Sequence, residues 1–415
     1  MKVCTMSQDS GKDTAAKPEK GGGRVTRRTV LTTVAAGLGT VFAKKPLAAA
    51  EQSALTTEIS IDERRIVSEV GQRSPFETPR RLVGNLLPGS VSKTPLQDLN
   101  GFITPSDLHY ESHNSGIPNI DPDKYTLRID GLVERPMTLT LEDLKQFPEQ
   151  TKARYLECSS NGIRAFAGML PELTPAEIDG MVSTSVWTGT FFSSLLEAVK
   201  PKAEVTWFRA EGHDGDWVQS IPMDERWNDS LIAWGQNGEA LRPEQGYPAR
   251  LLLAGHPGPP NVKWLSRIEF NSGALPEGVA RSFSTRFGAK SIILYPAYPE
   301  VLTEPGELVI AGLAWSGRGK IARVDISTDG GHTWEPAALQ QPILPFCQTR
   351  FRYRWNWDGS EALLMSRATD ETGDVQIRLE EARAARQANK EIRHYYANIR
   401  AWAVAPDGTV TFGLS

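Results

Sequence analysis

The sequence predicts an α+β domain followed by a β-sandwich of immunoglobulin type. Between about residues 106 and 290, strand patterns and short helix patterns mix without the regular spacing of βαβ units, which is typical of an α+β fold. Beyond about residue 300 the pattern changes to short alternating runs separated by turn residues, which is typical of a sandwich. The 415 residues, 40% of them hydrophobic and 23% charged, are enough for two or three domains with buried cores.

The α+β part contains recognisable strands and helix starts. The segment YTLRIDG alternates as a strand that ends in a turn, and in TLTLEDLKQFP the residue Thr140 is placed as a helix N-cap three residues before Asp143. WTGTFFSSLLEAV predicts a helix. VTWFRAEG, ARLLLAG and NVKWLSRIEF predict further strands.

The last third consists of short strands. We expect strands at GELVIAGLAWSG, IARVDISTDGGHTW, FRYRWNW and EALLMSRATDETG, with Asp329 and Gly330 forming a hairpin corner. A charged helical insert from about Ile377 to Lys390 interrupts the series, and YYANIRAWAV supplies a final strand. The predicted domain is 300–415, preceded by the α+β domain at 106–290 and by a Pro- and Gly-rich extended arm at 51–105.

The N-terminus predicts a twin-arginine export signal over residues 1–50. Arg27 and Arg28 precede an apolar stretch from Val30 to Ala43, which is followed by a small-residue cleavage site at Ala48–Ala50. The twin-arginine pathway carries proteins that are already folded, often around a cofactor, so we expect a periplasmic protein. The alternative is a chance basic pair before a short buried helix. No later segment has the roughly 20 apolar residues that span a bilayer.

The charge balance excludes some partner classes. The full chain has a formal net charge of −4, and the first 50 residues hold nine basic and three acidic side chains. The remainder therefore carries 37 basic and 47 acidic side chains, a net charge of −10. An acidic protein is a poor match for nucleic acid and suits a partner with a basic face, although the acidity also serves solubility alone.

Two of the three cysteines remain after removal of the predicted signal. Cys4 lies within the signal, which leaves Cys158 and Cys347. A disulfide between them would suit the periplasm, and a lone cysteine is often only a small buried residue. Cys158 stands at the end of a predicted strand, in RYLECSSNG, and is followed by small turn-forming residues. A thiolate exposed at such a strand end is a ligand that soft metals prefer.

Two irregular loops carry further polar candidates. The segment EQGYPARLLLAGHPGPPNVKW places Gln245, Arg250 and Lys263 around a Gly/Pro-rich loop, where cationic side chains and loop N–H groups form an anion cradle. Upstream, LHYESHNSGIP offers His109 and His113. Each histidine has a purely structural hydrogen-bonding role as its alternative.

The order of motifs resembles the sulfite oxidase family of molybdenum enzymes, and in particular its sulfane dehydrogenase branch. The resemblance extends over about residues 80–415 and rests on the segments SHNSGIPNIDPDKYTLRIDGLVERPMTLTLEDLKQFP, LECSSNG, WTG, EGHDGDW, SIPMD, GQNGEALRPEQGYPARL, NVKWLSRIE and GLAWSGRGKIARVDISTDGGHTW. It implies a sulfite-oxidase-type molybdopterin domain followed by an immunoglobulin-like dimerisation domain, with one molybdenum-molybdopterin per chain.

The resemblance assigns roles to individual residues. Cys158 takes the place of the thiolate that binds molybdenum, and we expect Cys158 and His113 to be the catalytic residues. The positions that match cofactor contacts in the family are Tyr110, Glu111, Ser112, His113, Asn114, Asp214, Gln245, Arg250, Asn261, Val262 and Lys263.

The reaction implied by the resemblance is oxidation of sulfur. The family transfers an oxygen atom derived from water to sulfur and passes two electrons singly to a cytochrome. No CxxCH haem motif occurs in this sequence, so we expect no haem in this chain and a separate c-type cytochrome subunit as acceptor. A homodimer core or a heterotetramer is expected. The substrate is a carrier-bound sulfane sulfur or a small sulfur oxyanion. The alternatives are a direct sulfite dehydrogenase and a catalytically degenerate scaffold.

Several positions depart from the family pattern. Ser112 stands where an Arg usually faces the substrate oxyanion, and Phe287 stands where an active-site Tyr is expected. His113 and Asn114 replace the usual Asn-His or His-His pair. Gly162 and Ile163 replace the Arg pair that follows the cysteine in sulfite oxidases proper, and the loop GHPGPP lacks the Trp and the acidic residue of the sulfane dehydrogenase branch. Loss of a charge-assisted hydrogen bond to an anion costs about 1.5–3 kcal/mol, so we expect sulfite binding to suffer most. Arg164 is considered as a substitute for the missing Arg, with a surface role as the alternative.

Overall fold

A computed structural model describes residues 73–74, 76–83, 90–113, 116–167, 170–215, 218–223, 225–276, 281–282, 286–388 and 396–413. The predicted export signal, most of the predicted arm and Asn114 lie outside these residues. None of the described helices is long and apolar enough to cross a membrane.

The first part of the chain is built on three sheets. Its strands are β1 (Leu82–Val83), β2 (Ser90–Lys93), β3 (Glu111–His113), β4 (Thr126–Gly131), β5 (Met137–Thr140), β6 (Glu149–Glu157), β7 (Val182–Phe191), β8 (Trp207–Gly212), β9 (Val218–Pro222), β10 (Leu231–Gln236), β11 (Glu239–Ala240), β12 (Arg250–Leu252), β13 (Leu265–Asn271) and β14 (Arg281–Ser282). The strand orders are β1-β2-β3, β11-β10-β7-β6 with β12 paired to β10, and β14-β9-β8-β13-β4-β5. The pairing of β13 with β4 is parallel, whereas β13 and β8 are antiparallel, so this sheet is mixed.

Short helices fill the connections. They are α1 (Leu141–Lys145), α2 (Ile163–Ala167), α3 (Pro175–Asp179), α4 (Phe192–Val199) and α5 (Leu379–Ala388). Single 3₁₀ turns lie at Leu96–Asp98, Ser106–Leu108, Glu225–Asp229 and Pro243–Gln245. The predicted N-cap at Thr140 is confirmed as a reciprocal capping box, because its hydroxyl accepts from the N–H of Asp143 while the Asp143 carboxylate accepts from the N–H of Thr140.

The last part of the chain is the predicted β-sandwich. Its strands are β15 (Lys290–Tyr295), β16 (Gly306–Trp315), β17 (Ile321–Ser327), β18 (Glu335–Pro336), β19 (Ala338–Leu339), β20 (Thr349–Trp357), β21 (Ala362–Asp370), β22 (Ala401–Val404) and β23 (Val410–Gly413). The two sheets have the orders β15-β16-β20-β19 and β18-β17-β21-β22-β23. Their inner faces share a core around Trp315, Phe351 and Trp402. The α+β class with a following sandwich is confirmed.

Two local predictions were wrong. The predicted helix WTGTFFSSLLEAV begins only at Phe192, because its first five residues complete β7, which is hydrogen-bonded to β6 on one side and to β10 on the other. β-branched and aromatic side chains in this stretch favour a strand with two partners over a helix turn. The strand predicted in YYANIRAWAV is β22, and it is not the last, since β23 pairs with it.

The sandwich core continues into the first part of the chain. The hydrophobic cluster around Trp315 also contains Leu96, Tyr155 and Val182, and the N–H of Tyr155 donates to the carbonyl of Phe346 at 2.7 Å. The end of β6 therefore packs directly against sandwich residues. This contact fixes the strand that carries the candidate cysteine.

Candidate active site

Cys158 lies immediately after β6, where the strand gives way to a tight turn. Its N–H donates to the carbonyl of Met181 at 2.9 Å, and its carbonyl accepts from the N–H of Asn161 at 3.0 Å. The sulfur lies 3.5 Å from the hydroxyl of Ser160, and the residue is partly exposed. A thiol on a partly exposed residue whose backbone is held on both sides is suited to ligate a soft metal.

The alternative of a disulfide is wrong, because both cysteines are free. Cys347 is buried and its thiol donates to the carbonyl of Ala153 at 3.1 Å. Burial raises the pKa of the Cys347 thiol to about 12, so it stays protonated and unreactive at neutral pH. The two thiols therefore occupy different environments, and of these two residues Cys158 is the partly exposed one.

The Gly/Pro-rich loop lies against Cys158. The N–H of Gly258 donates to the carbonyl of Glu157 at 2.7 Å. A Cβ at position 258 would stand 3.5 Å from both the Cα of Cys158 and the hydroxyl oxygen of Tyr110. Asn261 holds the loop closed by donating to the carbonyl of Pro257 at 2.8 Å. The loop predicted as part of an anion cradle thus forms a wall of the cleft beside the thiol.

Tyr110 lies beside the same loop, and the ring of His109 stacks on the ring of Tyr110. The carbonyl of Tyr110 accepts from the amide of Gln245 at 2.9 Å and from Nδ1 of His109 at 2.9 Å. Burial, and then the neighbouring Cys158 thiol, raise the pKa of the Tyr110 hydroxyl well above its usual range, so this group stays protonated and can donate a hydrogen bond. Burial lowers the pKa of His109 to about 3, which keeps its imidazole neutral. Its Nε2 is buried and has no hydrogen-bond partner among the described residues.

His113 is held by an acidic neighbour. Its Nε2 lies 2.7 Å from Oε1 of Glu111, and the other carboxylate oxygen of Glu111 pairs with Arg81 at 3.1 Å. The ring lies edge-on to Trp264 at 6.2 Å between centroids. Within the described part of the chain, Nδ1 of His113 is buried and makes no hydrogen bond. The ring orientation is therefore fixed while one nitrogen remains available to a bound group.

Lys263 and Arg250 supply the positive charge of the cleft. Lys263 donates to the carbonyls of Ser112 at 3.0 Å and Glu244 at 2.9 Å. Arg250 is buried, and it donates to the carbonyls of Gln245 at 2.9 Å and Asn261 at 3.1 Å. Its Nε is likewise buried without a partner as far as the described residues go. Burial, and then the charge of the nearby Arg250, lower the pKa of Lys263.

A glycine makes the close approach of Lys263 and Arg250 possible. Gly246 has φ +108, a conformation that side chains rarely adopt. A Cβ at this position would lie 3.0 Å from the Cβ of Lys263 and 3.2 Å from the Cβ of Arg250. The turn that follows Gln245 therefore requires glycine.

Three of the residues predicted from the sequence, Asp214, Val262 and Asn114, have less direct support as cofactor contacts. Asp214 follows β8, is partly buried, and its charge acts to raise the pKa of Lys263. The side chain of Val262 lies in the hydrophobic core, and its carbonyl accepts from the N–H of Leu251 at 2.8 Å. Asn114 lies outside the described residues. Direct cofactor contacts by these residues stay predictions.

The structure explains one departure from the family pattern. Gly162 has φ +91, and a Cβ there would lie within 3 Å of Asp179 Oδ1, Arg400 Nη2 and the carbonyl of Tyr396. No side chain fits this position, so the Arg of sulfite oxidases proper is sterically excluded. Arg164 pairs with Glu177 at 3.2 Å on the surface, which favours its surface role.

Phe287, which stands where the family's active-site Tyr is expected, is buried in the sandwich core. Its N–H donates to the carbonyl of Gly255 in the loop beside Cys158 at 3.2 Å. Its position supports the loop that lines the cleft. Sequence reasoning did not single out Arg81, which pairs with Glu111, or Glu157, whose signal was a carboxylate at the end of an apolar strand directly before Cys158.

The cleft fits a large polar anionic cofactor. Buried nitrogens of His109, His113 and Arg250 lack partners among the residues the structure describes, and polar atoms of this kind are normally satisfied in folded proteins. Arg250 and Lys263 supply cationic groups for a phosphate, and Cys158 supplies a soft ligand for a metal. The donor set matches a pterin phosphate with a sulfur-ligated metal.

Cofactor retention is expected to weaken as the pH rises above about 7. Burial lowers the pKa of Lys263 to about 7, so the folded protein loses this positive charge as the pH rises through that value. If phosphate binding requires the protonated ammonium, affinity falls by up to about tenfold per pH unit above this pKa. Gel filtration at a series of pH values, followed by quantification of retained pterin, measures the slope.

The variant Lys263→Arg is the matched control for this prediction. A guanidinium keeps its charge throughout the range, so the slope should flatten. An unchanged slope in Lys263→Arg would assign the pH dependence to another group. In the cofactor-free protein, a rise in pH has the opposite effect, because it stabilises the fold. The free energy of unfolding should rise between pH of about 7 and 10.5, because there only the unfolded state holds the proton.

Comparison with known proteins places most of the chain in one family. Residues 114–277 match the family described as "Oxidoreductase molybdopterin binding domain", and residues 281–398 match "Mo-co oxidoreductase dimerisation domain". The crystal structure of the sulfane dehydrogenase SoxCD from Paracoccus pantotrophus has a TM-score of 0.76 and 35% identity, covering 90% of this chain and 98% of that chain.

More distant relatives are longer proteins. Mitochondrial sulfite oxidase of Rattus norvegicus is 27% identical over 352 residues, which is 74% of this chain and 63% of the relative. Nitrate reductase [NADH] 2 of Phaseolus vulgaris is 29% identical over 64% of this chain and 35% of its own length. The chain thus spans less than two thirds of these two relatives.

Proposed function

The chain belongs to the sulfite oxidase family of molybdopterin oxidoreductases, and on that premise we propose that it oxidises carrier-bound sulfane sulfur in the periplasm. The oxygen comes from water, and the electrons pass to a c-type cytochrome subunit. The observation that carries the proposal is a free, partly exposed Cys158 thiol in a cleft with cationic groups and partnerless buried nitrogens. The whole-chain likeness to a sulfane dehydrogenase supports the choice of substrate class.

The chain's own residues have definable tasks in this reaction. The bound cofactor supplies oxygen-atom transfer to sulfur and takes up two electrons. Cys158 would bind the metal as thiolate, and Arg250 and Lys263 would hold the phosphate of the pterin. His113, oriented by Glu111, presents Nδ1 to the bound group. Tyr110 keeps its proton and donates a hydrogen bond beside Cys158.

The proposed partner and location follow from sequence features. The N-terminal segment with Arg27 and Arg28 supports export of the folded, cofactor-loaded protein. After its removal the net charge of −10 suits a cytochrome with a basic rim, which would accelerate encounter at low salt. The match of residues 281–398 to a dimerisation domain supports a homodimer core. In the proposal, this core binds the cytochrome subunits.

The substrate choice rests on Ser112. This residue lies in β3, and its backbone carbonyl accepts a hydrogen bond from the ammonium of Lys263. A serine cannot supply the charge-assisted fork that an Arg gives a small oxyanion. Sulfite therefore loses a binding partner here, whereas a sulfane sulfur presented by a carrier protein draws affinity from the carrier surface. A direct sulfite dehydrogenase remains the second candidate function.

Steady-state oxidation with cytochrome c as acceptor tests the proposal. We expect turnover on a carrier-bound persulfide to exceed turnover on free sulfite, with one molybdenum per chain in the purified protein. Faster turnover on sulfite without a carrier favours the sulfite dehydrogenase. Stoichiometric molybdenum without oxidation of any sulfur compound favours a degenerate scaffold.

The variant Ser112→Arg is expected to lower the KM for sulfite by about 10- to 100-fold. The gain corresponds to a restored charge-assisted hydrogen bond worth about 1.5–3 kcal/mol. Ser112→Ala serves as the control and should leave the KM for sulfite unchanged, because it alters the side chain without adding charge. If Ser112→Arg does not change the KM for sulfite, position 112 does not face the substrate anion.

A further inference from the structure

A buried network of charged side chains begins at the residue directly before Cys158. The carboxylate of Glu157 accepts from Lys290 at 2.7 Å, from the indole N–H of Trp315 at 2.7 Å and from the amide of Asn161 at 2.9 Å. Lys290 also contacts Asp179 at 2.7 Å. Each of these side chains is at most 3% exposed. Both oxygens of Glu157 are thus held from different directions.

The cations and the indole N–H of this network come from the sandwich. Lys290 lies on β15 and Trp315 ends β16, whereas Glu157 ends β6 in the first part of the chain. Arg400, just before β22, extends the network by pairing with Asp179 at 3.1 Å. Although burial opposes it, Arg400 and then Lys290 lower the pKa of Asp179, so its carboxylate stays ionised. The sandwich therefore contributes the cations, and the first part contributes the carboxylates.

A buried carboxylate is stable only while its partners are in place. Desolvation of an unpaired carboxylate costs several kcal/mol, so Glu157 has one strongly favoured position. The Glu157 side chain points into the sandwich, and its backbone continues directly into Cys158. Fixing this side chain therefore fixes the start of the turn that presents the thiol.

The sandwich also reaches the backbone of Glu157 through the loop beside Cys158. A Cβ at Gly255 would lie 2.1 Å from the carbonyl oxygen of Gly317, so the loop rests directly on the sandwich backbone. Three residues later, Gly258 donates to the carbonyl of Glu157 at 2.7 Å. The sandwich thus holds the side chain of Glu157 directly, and it holds the backbone carbonyl of Glu157 through the loop.

We propose that the β-sandwich positions the metal ligand, with Lys290 and Trp315 as positioning residues that act on Cys158 through Glu157. This role is additional to dimerisation, and it rests on the proposed function, in which Cys158 binds molybdenum. It predicts that a change inside the sandwich alters the electronic structure at the metal. A purely structural role would change stability alone.

The variant Trp315→Phe tests the role, because it removes one N–H to Glu157 and leaves the ion pair. In the holoenzyme we expect shifted g-values in the electron paramagnetic resonance spectrum of pentavalent molybdenum. Turnover should fall by between about 10- and 100-fold, as for a small misplacement of a reacting group. The matched control is Trp402→Phe, since Trp402 is also fully buried in the sandwich and its indole N–H makes no hydrogen bond to any described residue. It should keep the wild-type spectrum despite a similar loss of thermal stability.

A second variant keeps the test decisive if Trp315→Phe does not fold. Glu157→Gln retains the side-chain shape while it weakens the contact to Lys290, and it should shift the g-values in the same way. Wild-type spectra in the folded variants at Trp315 and Glu157 would overturn the positioning role. Absence of molybdenum from the wild-type protein would instead overturn the proposed function.

Discussion

Replacing Cys158 by serine is expected to lower sulfur oxidation by at least about 1,000-fold while the protein stays folded. A serine hydroxyl is a harder ligand than a thiolate and stays protonated at neutral pH, so it cannot donate electron density to a high-valent metal in the same way. A rate lowered about 1,000-fold corresponds to a loss of about 4 kcal/mol of transition-state stabilisation. Steady-state turnover, metal content and circular dichroism of the purified variant measure the effect.

Cys347→Ser is the matched control for Cys158→Ser. Cys347 is buried, and its thiol donates to the carbonyl of Ala153, a bond that a serine hydroxyl can replace. Metal content and turnover should stay at the wild-type level. Equal losses in the two variants would show that Cys158 matters for folding alone, and full activity in Cys158→Ser would remove it from the metal site.

Replacing Lys290 by methionine is expected to lower the free energy of unfolding by about 3–5 kcal/mol. Lys290 is 1% exposed and contacts both Glu157 and Asp179 at 2.7 Å. Methionine fills a similar volume but leaves the carboxylate of Glu157 buried without a cation, whereas Asp179 keeps Arg400. Urea unfolding followed by tryptophan fluorescence measures the loss.

The double variant Lys290→Met/Glu157→Gln tests the cause of that loss. Removing the orphaned carboxylate should recover a large part of the stability, because the penalty belongs to the unpaired charge and not to the missing contact. If the effects of the two single changes simply add, the buried pair contributes nothing beyond packing.

The sequence patterns were sufficient for the fold class and for most strands, because alternation and turn chemistry are local. The capping box at Thr140 is complete within four residues of sequence and was predicted from them. The start of β7 at Val182 was missed for the opposite reason. Its central position between β6 and β10 is a tertiary fact that overrides the apolar spacing of the segment around Trp187.

Candidate site residues could be named from the sequence where they belong to a short motif. Cys158, Gln245, Arg250 and Lys263 were named from motif context, and contacts through Tyr110, Gly246 and Gly258 link them in the structure. Their roles at a metal site stay predictions. The contacts that fix them join distant parts of the chain. Glu157 lies 133 residues from Lys290 and 158 residues from Trp315, and no local pattern pairs them.

The steric reason why position 162 must be glycine could not be predicted from the sequence either. A Cβ at Gly162 would collide with the side chain of Arg400, which lies near the end of the sandwich sequence. From the sequence alone, the glycine was only an unexplained departure from the family pattern. Its cause is a neighbour that folding brings in.

X-ray absorption at the molybdenum edge tests the central claim most directly, which is that the Cys158 sulfur is bonded to the metal. The account predicts one sulfur neighbour of the metal in addition to the sulfurs of the molybdopterin in the native protein, and loss of that neighbour in Cys158→Ser. The same sulfur shell in both proteins, or no molybdenum in the native protein, would contradict it.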